Sequence, residues 1–566
     1  MTSRLEHPRW LRIHPWMSPG PAIHLQFLRC LWLALSLATA TASSLRAAAI
    51  RREDLFDGPI LTWEIQLSRG EMAKLRGAAG PFTSERPEAL CTVRAGGQVW
   101  TNVAIHLKGA AGSFRQFDQN PALTLNFGKV QDGQTCFGHR KLHLNNSIQD
   151  AGRMDELLAS EMYLNSGVPT PRATHGFVHV NGRRLGLYVV KGGWDKPFLK
   201  QHFGSSKGNF YDGEFSQDID SNLRRASGEG ETDWADLDRL RGALKEQDRS
   251  RRLGRLAEIV DVERFISFTA IQVLIDDWDG YARQRNNYRI YNDPTTGRLV
   301  FMPHGMDQLW RNPRSGFSPR FNGVVASSLF GLEGMSARLV ARMRELTNTV
   351  YNAGFVDGVF ERARTRLVQA YEKERRHEER QRILSAMEDT RDRIRSRMAS
   401  FNGEAYQTPH AIAFDPDGRS RVRSWTTSQE GDDVDFSDVK VDGKRILRIE
   451  VSGPGSYGSW RARLNLPPGR YRFETRARTI DVRGSDATGR GRGAGIRISG
   501  NRRGAGLEGS NDWRVLRYDF GVPGQEGGRR DLGGEQDAVL IAELRADSGV
   551  VEFDADSMVL SRINDP

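Results

Sequence analysis

The chain has 566 residues, 38% of them hydrophobic, enough apolar material for two or more packed domains. Charged residues make up 27%, and 82 basic against 71 acidic side chains give a net charge of +11. That surplus is spread along the chain without a nucleic-acid motif, so it reads as a solvated basic surface and nucleic acid is not an expected partner.

The first segment carries a targeting pattern. A polar stretch containing Arg and His precedes the apolar run from Cys30 to Ala38. Small residues (Thr39 to Ser43) and then the charged Arg51-Arg52-Glu53-Asp54 follow. This is the three-part order of a secretory signal, and the run is shorter than the roughly 20 apolar residues of a spanning helix. The expectation is an exported protein, secreted, periplasmic or at the cell surface. Residues 1–48 would be the leader, Met17 an alternative start, and the mature chain would have no transmembrane helix. Only three cysteines occur, which excludes a structural zinc site of the closely spaced kind. Cys30 would leave with the leader. Cys91 and Cys136 would then either pair in an oxidising compartment or remain as two buried thiols.

Beyond the leader, residues 60–67 read as a strand and 68–75 as a helix. Alternating Val99, Val103, Ile105 and Leu107 mark a strand over 98–107, and two more are expected at 123–127 and 141–145. Met154, Leu157, Leu158, Met162 and Leu164 recur at helical spacing, and that helix stops at Gly167 before Pro169. The pair Asn181-Gly182 between alternating runs predicts a hairpin of 175–180 and 185–190. The N-terminal lobe of a protein kinase has this order of elements, with its nucleotide beneath a small sheet. A mostly helical stretch from 234 to 275 follows, its last helix capped by Asp261. Strands at 288–291 and 298–302 flank a turn, and residues 336–400 return to charged helices. From about residue 412 short strands alternate with Gly/Pro turns, the texture of a β-sandwich. Within it residues 483–506, rich in Gly and Arg, read as a long mobile loop.

Asp279, Asn287 and Asp307 are the chemistry-bearing constellation. Asp279 follows the buried helix, Asn287 precedes one strand of the 288–302 hairpin, and Asp307 follows the other. Folding the hairpin should bring Asn287 and Asp307 close, with Asp279 in the loop beside them. Kinase-type phosphoryl transfer needs such a set: a carboxylate for the attacking hydroxyl, and an Asn and Asp to hold Mg²⁺ on the phosphates. The competing reading is structural, since Asp and Asn favour strand ends and turns. By element order, Lys141 is the candidate phosphate-pairing lysine and Glu161 its helix partner. His139, His143 and His304 lack the tight spacing of a metal cluster. Tyr457, Trp460, Trp513 and Tyr518 could line a sugar-stacking face or fill the sandwich core.

Several motifs occur in a family's order: 137–147 (FGHRKLHLNNS), 166–173 (SGVPTPRA), 180–188 (VNGRRLGLY), Trp278-Asp279-Gly280-Tyr281, Asn286-Asn287-Tyr288 and Pro303-His304-Gly305-Met306-Asp307. Over roughly residues 60–400 the chain resembles the CotH kinase family. The resemblance implies an atypical protein-kinase-like fold that phosphorylates partner proteins on serine, using ATP with Mg²⁺ or Mn²⁺. It makes Asp279 the catalytic Asp, Asn287 an auxiliary metal ligand and Asp307 the main metal ligand. Two departures stand out. Gly305 replaces a carboxylate that many relatives carry, and Asn120 stands where a lysine is often found.

The expected architecture is therefore α+β: a two-lobed kinase-like domain over 49–402, then an all-β, jelly-roll-like sandwich over 408–566. The expected partners are a Ser/Thr-bearing protein acceptor and, through the sandwich, a polysaccharide. The alternative is a catalytically weak surface protein that binds polysaccharide or a protein partner.

Overall fold

A computed structural model describes residues 54–81, 86–110, 112–313, 315–317, 319–401, 410–431, 433–485, 491–522 and 536–563. The expected leader, with Cys30 and Met17, lies outside them. The chain from Phe56 onward forms one compact unit.

Seven strands close into a barrel: β1 (Leu61–Gln66), β2 (Glu88–Ala95), β3 (Gln98–Lys108), β4 (Ala122–Asn126), β5 (Lys141–Asn145), β6 (Ala173–Val180) and β7 (Arg183–Gly192), in the order β1-β2-β3-β4-β5-β7-β6. The ring closes where β1 pairs with β6 in parallel, Leu61 facing Gly176 and Ile65 facing Val180. Ser68 caps helix α1 (Arg69–Arg76) by accepting from the Glu71 amide. The β6–β7 hairpin turns at Asn181 and Gly182, both at positive φ (49° and 79°), as a tight two-residue turn requires. The Asn181 side chain also bridges to Leu67, its Oδ1 accepting from the amide at 2.7 Å and its Nδ2 donating to the carbonyl at 2.9 Å. Strand β2 was not expected, because its inward positions are the small Ala89, Cys91 and Val93. Cys91 and Cys136 are both free and buried, so no disulfide joins them.

Helix α2 (Asp155–Asn165) packs Leu158 and Met162 into the same core as Phe177 and Leu187 of the barrel. That core continues into helices Ala235–Leu244 and Arg249–Ile259, and into α3 (Val262–Leu274), which buries Phe265, Phe268 and Ile271. Asp261 caps α3 by accepting from the Arg264 amide at 3.1 Å. A four-stranded sheet, in the order β11-β10-β8-β9, contains the expected hairpin, β10 (Tyr288–Asp293) with β11 (Arg298–Pro303). The short β8 (Phe210–Gly213) and β9 (Arg224–Ser227) extend it. Helices α4 (Met335–Thr349), α5 (Ala353–Glu374) and α6 (His377–Ser400) complete this part. Among the described residues no single helix is long and apolar enough to cross a membrane.

The C-terminal part is all β with its own core, including Trp460, Phe473, Leu540 and Phe553. Its strands are β12 (His410–Ala411), β13 (Arg419–Arg421), β14 (Thr426–Glu430), β15 (Val434–Val441), β16 (Lys444–Val451), β17 (Tyr457–Leu466), β18 (Gly469–Gly484), β19 (Gly493–Ile498), β20 (Gly509–Val522) and β21 (Gln536–Ile563). Two strands expected at 538–544 and 550–553 are one. β21 pairs with β17 and β19 as far as Arg545, then with β16 and β13 beyond Gly549, so it passes from one sheet layer to the other. The expected mobile loop over 483–506 is corrected in part. Gly493 to Ile498 form β19, in which Gly495 leaves room for Arg503; a Cβ there would come within 2.7 Å of its Nε. The four aromatics share no face. Trp460 lies in the core, Tyr457 lies under the Arg545 guanidinium at 4.3 Å and Trp513 under Arg478 at 5.1 Å. Tyr518 packs against the core from its rim.

Candidate active site

The last rung of the β10–β11 ladder sets Tyr288 opposite Pro303, and the His304 amide donates to the Asn287 carbonyl at 2.8 Å. Both chains then leave the sheet through left-handed residues, Asn287 at φ 53° and Gly305 at φ 60°. Asparagine tolerates that conformation better than most side chains, which accounts locally for the residue type. The Asn287 side chain is aimed at Asp279. Its Nδ2 donates to Asp279 Oδ2 at 2.8 Å and to the Asp279 carbonyl at 3.2 Å, while Asn286 Nδ2 donates to Oδ1 at 3.1 Å. Both carboxylate oxygens of Asp279 are thus held from one side. Burial still pushes its carboxyl above the ordinary range, against the pull of the two amides.

The Asp279 loop is braced from behind. Asp276, at φ 50°, accepts from Arg283 (2.8 Å) and Ser315 Oγ (2.7 Å). Arg397 of α6 reaches the C-terminal end of α3, donating to the carbonyls of Val273 and Leu274 at 2.7 Å each and to that of Ser315 at 2.8 Å. The Val273 and Leu274 carbonyls belong to the last turn of α3, where intrahelical donors run out, and the Tyr351 hydroxyl also donates to that of Leu274 at 2.9 Å. Asp277 accepts from Gln272, and burial beside Asp279 raises its carboxyl to about 7.

Asp307 stands two residues beyond Gly305, and the Leu309 amide just after it donates to Asp155 Oδ2 at 2.9 Å. Burial raises the Asp307 carboxyl to about 6, with the charges of Glu156 and Asp150 adding to the rise and Lys108 opposing it. Glu156 is the hub of a polar chain. Lys191 donates to its Oε1 at 2.5 Å, Asn145 donates to its Oε2, and Lys108 donates to Asn145 Oδ1 at 2.6 Å. Burial alone would raise the Glu156 carboxyl, but Lys191 and Lys108 bring it below its ordinary value. Burial lowers Lys108 to about 8. Lys141, His143 and Asn145 alternate along β5 and so share one face. On that face His143 bonds Thr124 Oγ1 at 3.0 Å, and burial drives His143 and His304 well down, leaving both neutral at pH 7.

Asp279 and Asn287 are therefore in direct contact, and Asp307 leaves the same end of the hairpin toward Lys108 and Glu156. The expected Lys141–Glu161 pair does not form. Glu161 accepts from Arg172 at 3.0 Å, and Arg172 also grips Asp57 through both terminal nitrogens. A helix turns about 100° per residue, so Glu161 lies about 140° around α2 from Glu156 and faces elsewhere. Asp195 heads the charges acting on Lys141, whose amine burial lowers. The sequence does hold a signal for the pair that does form. Lys191 ends a run of buried apolar residues in β7, and a lysine there needs a carboxylate. Gly305 also has a structural reason. A Cβ there would lie 2.5 Å from Asn287 Oδ1, so Asn287 uses the space a side chain would need. Asn120 is exposed, and its carbonyl accepts from Asn146 at 2.8 Å.

Among the described residues no group of three or more His, Cys, Asp or Glu side chains is gathered around a point that could hold a metal ion. The donors present are the Asp307 and Asp279 carboxylates and Asn287 Oδ1, all hard oxygens of the kind Mg²⁺ takes. The raised Asp307 carboxyl, next to two further negative charges, fits a position where a cation would be welcome.

A family profile described as CotH kinase protein matches residues 105–398, more than half of the chain. The inner spore coat protein H of Bacillus subtilis (strain 168) is 24% identical over 194 residues, 31% of this chain and 52% of that protein. The chain thus spans about half the length of that relative. Among solved structures, the Helicobacter pylori proinflammatory kinase CtkA aligns over 49% of this chain and 93% of its own, at 9% identity and a TM-score of 0.20. A family 11 carbohydrate-binding module of the Clostridium thermocellum cellulase Lic26A-Cel5E aligns over 27% and 95%, at 14% identity and a TM-score of 0.14. At those scores neither likeness bears on the fold.

Proposed function

The chain belongs to the CotH kinase family, and on that premise we propose that it is an exported atypical protein kinase transferring the γ-phosphate of ATP to Ser or Thr of a surface or envelope protein. The observation that carries this is the Asp279 carboxylate, fixed by Asn286 and Asn287 at the same hairpin end from which Asp307 departs. Asp279 orients the acceptor hydroxyl and takes its proton. Burial suits it to that task by making it more basic than an ordinary carboxylate. Asp307 and Asn287 Oδ1 hold the divalent cation, Mg²⁺ or Mn²⁺, which when bound offsets phosphate charge. Lys108, whose amine burial lowers, and Lys191 supply positive charge for the phosphates, with Glu156 fixing both through direct and Asn145-mediated contacts. Lys141, on the same face of β5 as Asn145, adds a third cation, while Glu161 is occupied by Arg172.

One observation favours a second reading. With Gly305 in place of a carboxylate, the cation has fewer charged ligands, and a chain with weak catalysis would act chiefly as a surface binding protein. Calorimetric titration with Mg-ATP and Mn-ATP separates the two. Binding that weakens at least about tenfold in Asp307→Ala, from one lost carboxylate ligand, supports the kinase reading. Equal binding by wild type and variant, or none by either, removes it.

A further inference from the structure

A cavity of about 740 Å³ opens at the edge of the C-terminal module, against β13. Arg419, Arg421 and Arg423 line it, all exposed; Arg419 and Arg421 stand on one face of β13 about 7 Å apart, and Arg423 follows two residues beyond the strand's last residue. The rows they head are short of negative charge. Arg421 faces Val559, which faces Glu474, and Glu474 is taken by Arg517 at 2.6 Å. Arg419 faces Ser561, which faces Arg472, and Arg472 is bound to Asp519 at 2.7 Å. Two aspartates also line the cavity. Asp415 Oδ1 accepts the amides of Asp417 and Arg419, at 3.1 and 2.8 Å, and Asp556 accepts the Arg445 amide at 3.4 Å. Among the described residues, no carboxylate lies within ion-pair distance of the guanidinium groups of Arg419, Arg421 and Arg423.

The rest of the lining decides the kind of anion. The half-buried Ile412 and Val559, with the buried Leu464, give an aliphatic floor, and among the described residues no aromatic side chain lines the cavity. A single-stranded nucleic acid would want aromatic rings for its bases. A chain of acidic sugars wants what is there: guanidinium groups that take carboxylates two-pronged, in a row, over a floor on which ring C–H groups can lie. We infer that this edge of the module is a binding site for a uronic-acid polysaccharide, with Arg419, Arg421 and Arg423 as its carboxylate clamps. The site deepens the binding reading given above and does not depend on phosphoryl transfer.

The test is affinity electrophoresis of the full chain in gels containing polygalacturonate, with neutral dextran and single-stranded DNA in parallel. The wild type should be retarded by polygalacturonate and not by dextran. The triple change Arg419→Gln/Arg421→Gln/Arg423→Gln should weaken retardation at least about tenfold, and the triple change to Lys should fall between. Arg472→Gln/Arg517→Gln, which removes two ion-paired charges from the same sheet, should stay within about twofold of wild type. Single Arg421→Gln gives the same reading, at smaller size, should the triple variant unfold. Unchanged retardation of the triple and single Gln variants, equal retardation by dextran, or tighter binding of DNA through the same arginines would overturn the site. ATP binding by each variant should match wild type, so failure here and failure of the kinase reading are told apart.

Discussion

Replacing Lys191 with Met tests the polar chain that distinguishes this site. Lys191 and Glu156 expose only 1% and 3% of their side chains, and their charged atoms meet at 2.5 Å. Removing one partner of a buried pair costs roughly 3–5 kcal/mol, because the other charge is left desolvated. Asn145 and Lys108 still serve Glu156, so the lower end of that range is expected. The pH dependence gives the sharper check. In the wild type the Glu156 carboxyl sits below its ordinary value, so it contributes stability above the unfolded-chain value that is lost as pH falls through the folded one. In Lys191→Met burial dominates and the carboxyl rises, so that chain loses stability as pH increases past about 4.3, the unfolded value. The gap between the two proteins should therefore be about 3 kcal/mol at pH 8 and distinctly smaller at pH 5. Urea unfolding at both pH values measures it. Glu156→Gln/Lys191→Met should recover most of the stability without restoring nucleotide binding. A gap under about 1 kcal/mol at pH 8, or one that grows toward pH 5, would refute this reasoning.

Two further outcomes follow from the hairpin end. Gly305→Asp restores the carboxylate common in the family but places a Cβ 2.5 Å from Asn287 Oδ1 on a residue at φ 60°; it should cost about 2–4 kcal/mol by thermal unfolding and leave Mn²⁺ affinity no higher. Asp307 titrates near 6 in the fold against an ordinary 3.8, so without metal its contribution is present at low pH and lost as pH rises from about 4 through 6. Asp307→Asn should then stabilise the metal-free protein by about 2 kcal/mol at pH 7.5, and by little at pH 4, in differential scanning calorimetry.

What could be read in the sequence was what local rules govern. Asn181-Gly182 named its own turn, Asp261 its helix start, and the hairpin around residues 294–297 the neighbourhood of Asn287. Non-local pairings were not readable. Glu156 and Glu161 both look like helix carboxylates, and only the rotation of α2 against β7 decides that Lys191 meets the first while Arg172 takes the second. Strand β2 hid behind small inward residues, and β21 read as two strands because its pairing changes layer near Gly549. Gly305 looked like a lost ligand from sequence alone. The structure adds that Asn287 fills the space beside it.

The most direct measurement is incubation of the chain with γ-labelled ATP and Mg²⁺ or Mn²⁺, beside Asp279→Ala and Asp307→Ala, with label read on the chain itself and on added Ser/Thr-rich acceptor proteins. The account predicts transfer by the wild type and a loss of at least about a hundredfold in each variant, since each removes one of the parts phosphoryl transfer needs. Equal labelling by all three proteins, or labelling by none, would contradict it.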